Sequence, residues 1–227
     1  MARVVKDADV RRKELLDTAL SMFVSDGYER TSIDRITSAV GVAKGTFYHY
    51  FSSKQDLLEQ LVTDWADSLY GKLEAEVTAL PGDPLARLRS VFANATSIKL
   101  ETYEETMAFA RSLYSDENLR LRHAHMAKWL PRTEALLAPI IADGVAEGTF
   151  RVRDAEATAT VLTSLWFGWA DRQAELILRM AEDGTVDPRI YADLAAIEAG
   201  MERILGLREG SLDLELAGQM RRFTEER

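Results

Sequence analysis

Cysteine is absent from the 227 residues of this chain, and proline occurs only five times. Without cysteine the chain cannot form a disulfide framework, a thiolate zinc site or a cysteine nucleophile. No stretch approaches the ~18 uncharged apolar residues of a membrane-spanning helix, and the charged first segment lacks the apolar core of a signal peptide. We therefore expect a cytoplasmic protein with no membrane partner.

The sequence also lacks the short motifs of the common enzyme classes. It contains no HExxH metal motif, no Walker phosphate loop, no GxSxG nucleophile turn and no dinucleotide fingerprint. His123 and His125 are two positions apart, so on a helix their side chains point in nearly opposite directions and one metal ion does not easily take both. We predict no catalytic site, no metal site and no cofactor.

Charge is divided unevenly along the chain. Residues 1–60 hold nine basic and nine acidic residues, so the entire formal net charge of −9 falls on residues 61–227. An acidic protein is not an obvious nucleic-acid binder, but a neutral N-terminal part can meet phosphate by itself. The five basic residues among the first thirteen form either a weakly basic arm or a solvated terminus.

Apolar residues recur at helical spacing throughout, and sustained alternation typical of strands is missing. The chain is therefore predicted to be all-α. Pro81 and Pro84 enclose the clearest break, and Pro131 is expected to kink or split the helix that contains it. The predicted helices cover residues 10–26, 33–40, 44–51, 54–80, 85–102, 105–114, 117–147, 155–182 and 188–206, with a last short helix within 211–227.

Residues 31–51 have the pattern of two short helices joined by a tight turn. Gly41 lies where such a turn requires a positive φ. On the second helix Phe47 and Phe51 share one face and are predicted to pack on the preceding helices. The opposite face is short and polar-aromatic and has no carboxylate, which suits a helix that enters the major groove of DNA.

The run GYERTSIDRITSAVGVAKGTFYHYFSSKQDLL resembles the DNA-binding domain of the TetR family of bacterial transcriptional regulators. The likeness covers residues 10–60 and combines many positions at fixed spacing. It implies an N-terminal three-helix helix-turn-helix DNA-binding domain, residues 1–55. It further implies a larger C-terminal helical domain for ligand binding and dimerisation, residues 56–227. Ala43 departs from the serine that is frequent at the recognition-helix cap, and Thr37 and Val40 replace small alanines.

Carried over residue by residue, the resemblance implies eight DNA contacts. Phosphate contacts are implied for Thr31, Tyr48, Tyr50 and Lys54. Base-edge or nearby backbone contacts are implied for Lys44, Gly45, Thr46 and His49. Taken alone, each of these side chains is also compatible with an ordinary surface role.

The C-terminal part offers candidates for ligand binding and for subunit pairing. Aromatic and methionine residues that suit an apolar or aromatic small molecule are concentrated there, although plain core residues follow the same spacing. A homodimer is expected because one short recognition helix reads too few base pairs. The candidate ligand residues are Phe92, Thr96, Tyr103, Met107, Met126, Trp129, Trp166 and Trp169.

These features predict a ligand-responsive, dimeric repressor that a small apolar or aromatic molecule releases from a double-stranded DNA operator. Two alternatives stay open at this point. The helical body could be an enzyme or carrier whose front helices mediate association. The chain could also be a helix-turn-helix regulator that responds to a protein partner.

Overall fold

Ten α-helices make up the computed structural model, which describes residues 8–80, 82–115, 118–183 and 187–225. The all-α prediction is confirmed, and no strand occurs within these ranges. The helices are α1 (Ala8–Asp26), α2 (Ile33–Val40), α3 (Lys44–Tyr50), α4 (Lys54–Ala79), α5 (Pro84–Glu101), α6 (Tyr103–Leu113), α7 (Leu119–Ala146), α8 (Ala155–Asp183), α9 (Arg189–Leu205) and α10 (Leu216–Glu225).

Local capping hydrogen bonds define several helix boundaries. The Ser32 hydroxyl accepts the Arg35 N–H at 3.2 Å and begins α2, and the Ser53 hydroxyl accepts the Asp56 N–H at 3.0 Å in the first turn of α4. Gly41 ends α2 with φ +74°. Such serine caps satisfy N–H groups that a helix start leaves without a backbone partner. Helix α7 is continuous through Pro131 and Pro139, so Pro131 does not split it.

The chain folds into two compact units. The first comprises the chain up to Ser68 together with Thr102–Leu121, and the second comprises Leu69–Glu101 and the chain from Arg122 onward. Helix α4 contributes residues to both. The sequence boundary at residues 55 and 56 stays a prediction about domains.

The first unit is built around an apolar core supplied mainly by α1 to α4. Burial of this core removes apolar surface from water and fixes the short α2 and α3, which are too short to be stable alone. Its largest buried members include Phe23 from α1, Ile36 from α2, Phe47 and Phe51 around α3, and Leu57 from α4.

The second unit has its own larger core. Leu88, Ile140, Leu162 and Leu194 are buried there and come from four different helices. Among the described residues, no helix combines the length and the apolar character needed to cross a membrane.

Candidate nucleic-acid interface

The turn between α2 and α3 sets the position of the candidate recognition helix. The Gly41 N–H donates to the Ser38 carbonyl at 3.2 Å, and the Val42 N–H donates to the Thr37 carbonyl at 2.9 Å. The buried Thr37 hydroxyl donates to the Ile33 carbonyl at 3.0 Å. The threonine that replaces a small residue therefore has its hydrogen-bond partner within α2. Ala43 starts α3 without a side-chain cap. The backbone alone therefore defines this turn.

Helix α3 divides into a buried and an open face, as its sequence predicts. Phe47 is fully buried and Phe51 nearly so, with their ring centroids 5.5 Å apart. Tyr48 is 51% exposed, and Gly45 and His49 are also exposed. A Cβ added at Gly45 would meet no atom within 4 Å. A binding partner can therefore approach the backbone of α3 closely at Gly45.

Lys44 also belongs to the open face, but a carboxylate from α2 stands beside it. The Lys44 ammonium lies 2.9 Å from Oδ1 of Asp34, and both side chains are more than half exposed. The hydrogen bond from Lys44 to Asp34 raises the pKa of Lys44 above its usual value. The sequence argument considered acidic residues on α3 alone and missed this neighbour, which is ten positions away.

Lys54 lies at the start of α4 against the loop that follows α1. Its ammonium donates to the Tyr28 carbonyl at 3.0 Å and lies 4.0 Å from the centre of the Tyr28 ring. Two residues further along α4, the Asp56 carboxylate accepts the Ser52 N–H at 2.7 Å. That backbone hydrogen bond lowers the pKa of Asp56. Lys54 therefore has a structural role besides the predicted phosphate contact.

The remaining candidates differ in exposure. Thr46 and Tyr50 are half-buried, and the Tyr50 ring packs edge-on against His49 at 4.9 Å. Thr31 is buried, and its hydroxyl donates to the Gly27 carbonyl at 2.9 Å. A phosphate contact by the Thr31 hydroxyl would require it to leave this partner. Thr31 thus holds the loop between α1 and α2.

The basic N-terminal segment is only partly described. Arg3 and Lys6 lie outside the described residues. Arg11 pairs with Glu14 at 2.7 Å, Lys13 pairs with Asp17 at 2.6 Å, and Arg12 donates to Gln60. The cations that the structure describes in this segment are therefore engaged within the first unit.

Comparison with known proteins identifies this arrangement. Residues 15–61, which span most of α1 to the first part of α4, match the sequence model of "Bacterial regulatory proteins, tetR family". This match confirms the expected tetR-family resemblance of the N-terminal part of the chain. The chain is a DNA-binding transcriptional regulator.

Similarity to individual tetR-family proteins extends beyond the matched segment. The chain is 27% identical to the transcriptional repressor KstR2 of Mycobacterium tuberculosis over 155 residues, 66% of this chain and 74% of KstR2. The solved structure of FadR from Bacillus subtilis in complex with stearoyl-CoA aligns with a TM-score of 0.60 at 20% identity, covering 85% and 97% of the two chains. RolR in complex with resorcinol aligns with a TM-score of 0.56 at 20% identity, covering 97% and 95%. At this identity the two structural likenesses establish the fold.

The predicted ligand residues fall into separate groups. Phe92, Trp166 and Trp169 come together in the second unit, where the Trp166 ring lies 5.0 Å from Phe92 and 5.2 Å from Trp169. Trp129 stacks on Tyr70 at 4.6 Å. Met126 is half-buried in the second unit, Tyr103 and Met107 belong to the first, and the side chain of Thr96 lies outside the described part of the chain.

None of the eight candidates lines either of two cavities that described residues form. The larger, about 480 Å³, lies between α8 and α9 and is mostly polar. The smaller, about 220 Å³, lies in the first unit near Phe23 and Ala108. The larger cavity is lined by Arg172, Gln173, Glu175, Leu176, Arg179, Asp187, Arg189 and Asp193.

Helix α8 carries three buried polar atoms that no described residue satisfies: Oγ1 of Thr163, Nε1 of Trp169 and Oε1 of Gln173. Gln173 is 2% exposed, and its amide nitrogen donates to Asp193 at 3.0 Å. Trp169 and Gln173 are one helical turn apart, and Nε1 of Trp169 is a donor while Oε1 of Gln173 is an acceptor. Because a buried polar group without a partner is costly, this pair marks a place for a further polar group.

Proposed function

We propose that the chain is a dimeric, cytoplasmic repressor whose α3 enters the major groove of an operator and which a small molecule releases. One observation carries this proposal: the open face of α3 presents Lys44, Gly45, Tyr48 and His49 over a rigid base of buried Phe47 and Phe51. This face contributes no acidic side chain of its own. The eight predicted DNA contacts remain part of this proposal.

Dimerisation follows from how little DNA one copy can contact. A helix of seven residues reaches only a few base pairs, and two copies must present their recognition helices about 34 Å apart to occupy successive major grooves. Helices α8 and α9 are the candidate pairing surface, as expected for the family. Val161 on α8 is 51% exposed, and Leu165, Trp169 and Leu176 on the same helix are half-buried.

The effector is proposed to be a small aromatic molecule that bears a hydroxyl group. The contact between Phe92, Trp166 and Trp169 supplies aromatic surface, and a hydroxyl can accept from Nε1 of Trp169 and donate to Oε1 of Gln173. RolR, a protein of similar fold, was solved in complex with resorcinol, which is an aromatic diol of this class. To release DNA, the effector must bind the DNA-free conformation more tightly, and DNA must weaken effector binding by the same factor.

Replacing Gln173 by leucine tests the hydroxyl contact. We expect 2-naphthol to raise the melting temperature of the wild-type protein, and its affinity to fall roughly tenfold in Gln173→Leu because one hydrogen bond is lost. Naphthalene lacks the hydroxyl and should bind both proteins alike. Calorimetric titration with both compounds measures this, with Gln55→Leu at an exposed position as the matched control. Equal 2-naphthol affinity in all three proteins would reject the contact.

Replacing Tyr48 by phenylalanine tests the DNA-binding face. The hydroxyl is solvent-exposed and outside the core, so the variant should fold normally, yet it should bind an operator about fivefold more weakly for loss of one hydrogen bond to phosphate. The loss should be similar across operator sequences because a phosphate contact carries no base information. Fluorescence anisotropy with duplexes from upstream of the chain's own gene measures it. Undiminished affinity would remove Tyr48 from the interface.

A further inference from the structure

The inference concerns Lys44 and Asp34, and it rests on the proposed operator binding. The two side chains come from consecutive helices, Asp34 from the first turn of α2 and Lys44 from the first residue of α3. Nζ of Lys44 lies 2.9 Å from Oδ1 and 3.1 Å from Oδ2 of Asp34. A cation of the open face and an anion of α2 thus lie side by side.

The exposed pair is a poor explanation for stability. With 52% and 69% of the two side chains accessible, water and salt screen their attraction, and such pairs contribute little to folding. Towards DNA, however, the carboxylate has a definite effect. It neutralises the cation that would otherwise attract phosphate anywhere, so it lowers binding to DNA of arbitrary sequence.

The spacing of the pair matches the major-groove edge of a G·C base pair. Guanine presents the acceptors N7 and O6, and cytosine presents the N4 amino donor. O6 and N4 are hydrogen-bonded to each other and therefore lie about 2.9 Å apart. An ammonium with three N–H donors can reach N7 and O6 while it keeps its carboxylate neighbour, and that carboxylate accepts the second N4 hydrogen.

We propose that Lys44 and Asp34 read one G·C base pair in each operator half-site as a unit. Nζ of Lys44 donates to guanine O6 and N7, and the Asp34 carboxylate accepts from N4 of the paired cytosine. In an A·T base pair the adenine amino donor lies between the two acceptors, and thymine adds a methyl group. An A·T base pair therefore matches the Lys44 and Asp34 side chains less well. Asp34 is therefore a specificity-determining residue that weakens binding to DNA in general and strengthens binding to the correct base pair.

The test selects operators from a random duplex pool with the wild-type protein and then measures affinities for the selected duplex and for random duplexes. Asp34→Ala removes the acceptor, so it should bind the selected duplex about tenfold more weakly and random duplexes more tightly, a pair of opposite effects that simple charge removal cannot give. Asp17→Ala is the matched control, because Asp17 is an exposed carboxylate of the same unit that also faces a lysine, Lys13, at 2.6 Å.

Changes of single bases and of single base atoms in the operator identify the base pair that Lys44 and Asp34 contact. Lys44→Met and Asp34→Ala should lose base preference at the same operator position, and 7-deazaguanine there should weaken binding by the wild type but leave binding by Lys44→Met unchanged. If the wild type selects specific duplexes and Asp34→Ala keeps every base preference, or the shared position is A·T, the inference is wrong while the proposed function stands. If the wild type enriches no duplex, the proposed function itself fails.

Discussion

Replacing Phe47 by alanine is expected to destabilise the first unit by about 3–5 kcal/mol and to abolish operator binding. Phe47 is fully buried, and its ring contacts those of Tyr48 and Phe51 at 5.6 and 5.5 Å. Helix α3 has seven residues and depends on this packing, because so short a helix does not form alone. Urea unfolding followed by circular dichroism measures the loss, and anisotropy with an operator duplex measures binding.

Tyr48→Ala is the control for this experiment. Tyr48 is the next residue and also aromatic, but half of it faces solvent, so its removal should cost far less stability while operator binding still falls. The two variants thereby separate the contribution of the buried face of α3 to stability from the contribution of its open face to operator binding. If Phe47→Ala unfolded at the same urea concentration as the wild type, the buried face assigned to α3 would be wrong.

Replacing Glu202 by leucine is expected to destabilise the second unit by roughly 2–5 kcal/mol, because two backbone N–H groups lose their acceptor. Glu202 is 2% exposed within α9. Its carboxylate accepts the Leu212 N–H at 2.8 Å and the Gly210 N–H at 3.0 Å. This carboxylate therefore fastens the connection between α9 and α10.

Unfolding of the Glu202→Leu protein by urea, monitored through tryptophan fluorescence, measures this loss. Glu209→Leu is the matched control, since Glu209 lies in the same connection but is exposed. Glu202→Gln should restore part of the stability, because an amide oxygen can still accept one of the two N–H groups. Equal stability of the Glu202→Leu and Glu209→Leu proteins would show that the buried carboxylate contributes nothing.

Helix positions could be predicted from the sequence because they depend on local rules. The apolar period places α1 to α9 within a few residues of their observed ends, and Ser32, Gly41 and Ser53 mark boundaries by chemistry that acts over one turn. The family likeness located α3 for the same reason, since its signal is a run of contiguous residues.

Contacts between distant residues could not be predicted in this way. The last helix lies within the predicted range, but its start at Leu216 is set by the preceding segment, which carries positive φ values at Asp213 and Glu215 and gives its N–H groups to Glu202 and Glu198. Periodicity contains no information about such side-chain to backbone bonds. The Lys44–Asp34 pair was missed for the same reason, because acidic residues were considered on α3 alone.

Aromatic residues illustrate a second boundary of sequence reasoning. Trp129 and Trp166 were selected as possible ligand residues by type and spacing, and the structure places both in packed aromatic contacts. Core and pocket follow the same helical period, so periodicity does not separate them. Buried polar atoms without a partner, such as Oε1 of Gln173, do distinguish a pocket from a core. Such atoms can be identified only from the three-dimensional structure.

The central claim is that the open face of α3, duplicated by pairing of two chains, binds one duplex. Analytical ultracentrifugation of the protein with a labelled duplex enriched from a random pool tests it most directly. We predict a complex of two chains per duplex whose affinity falls steeply with salt. A single chain that binds as tightly as the pair, or a duplex that remains free at every protein concentration, would contradict the account.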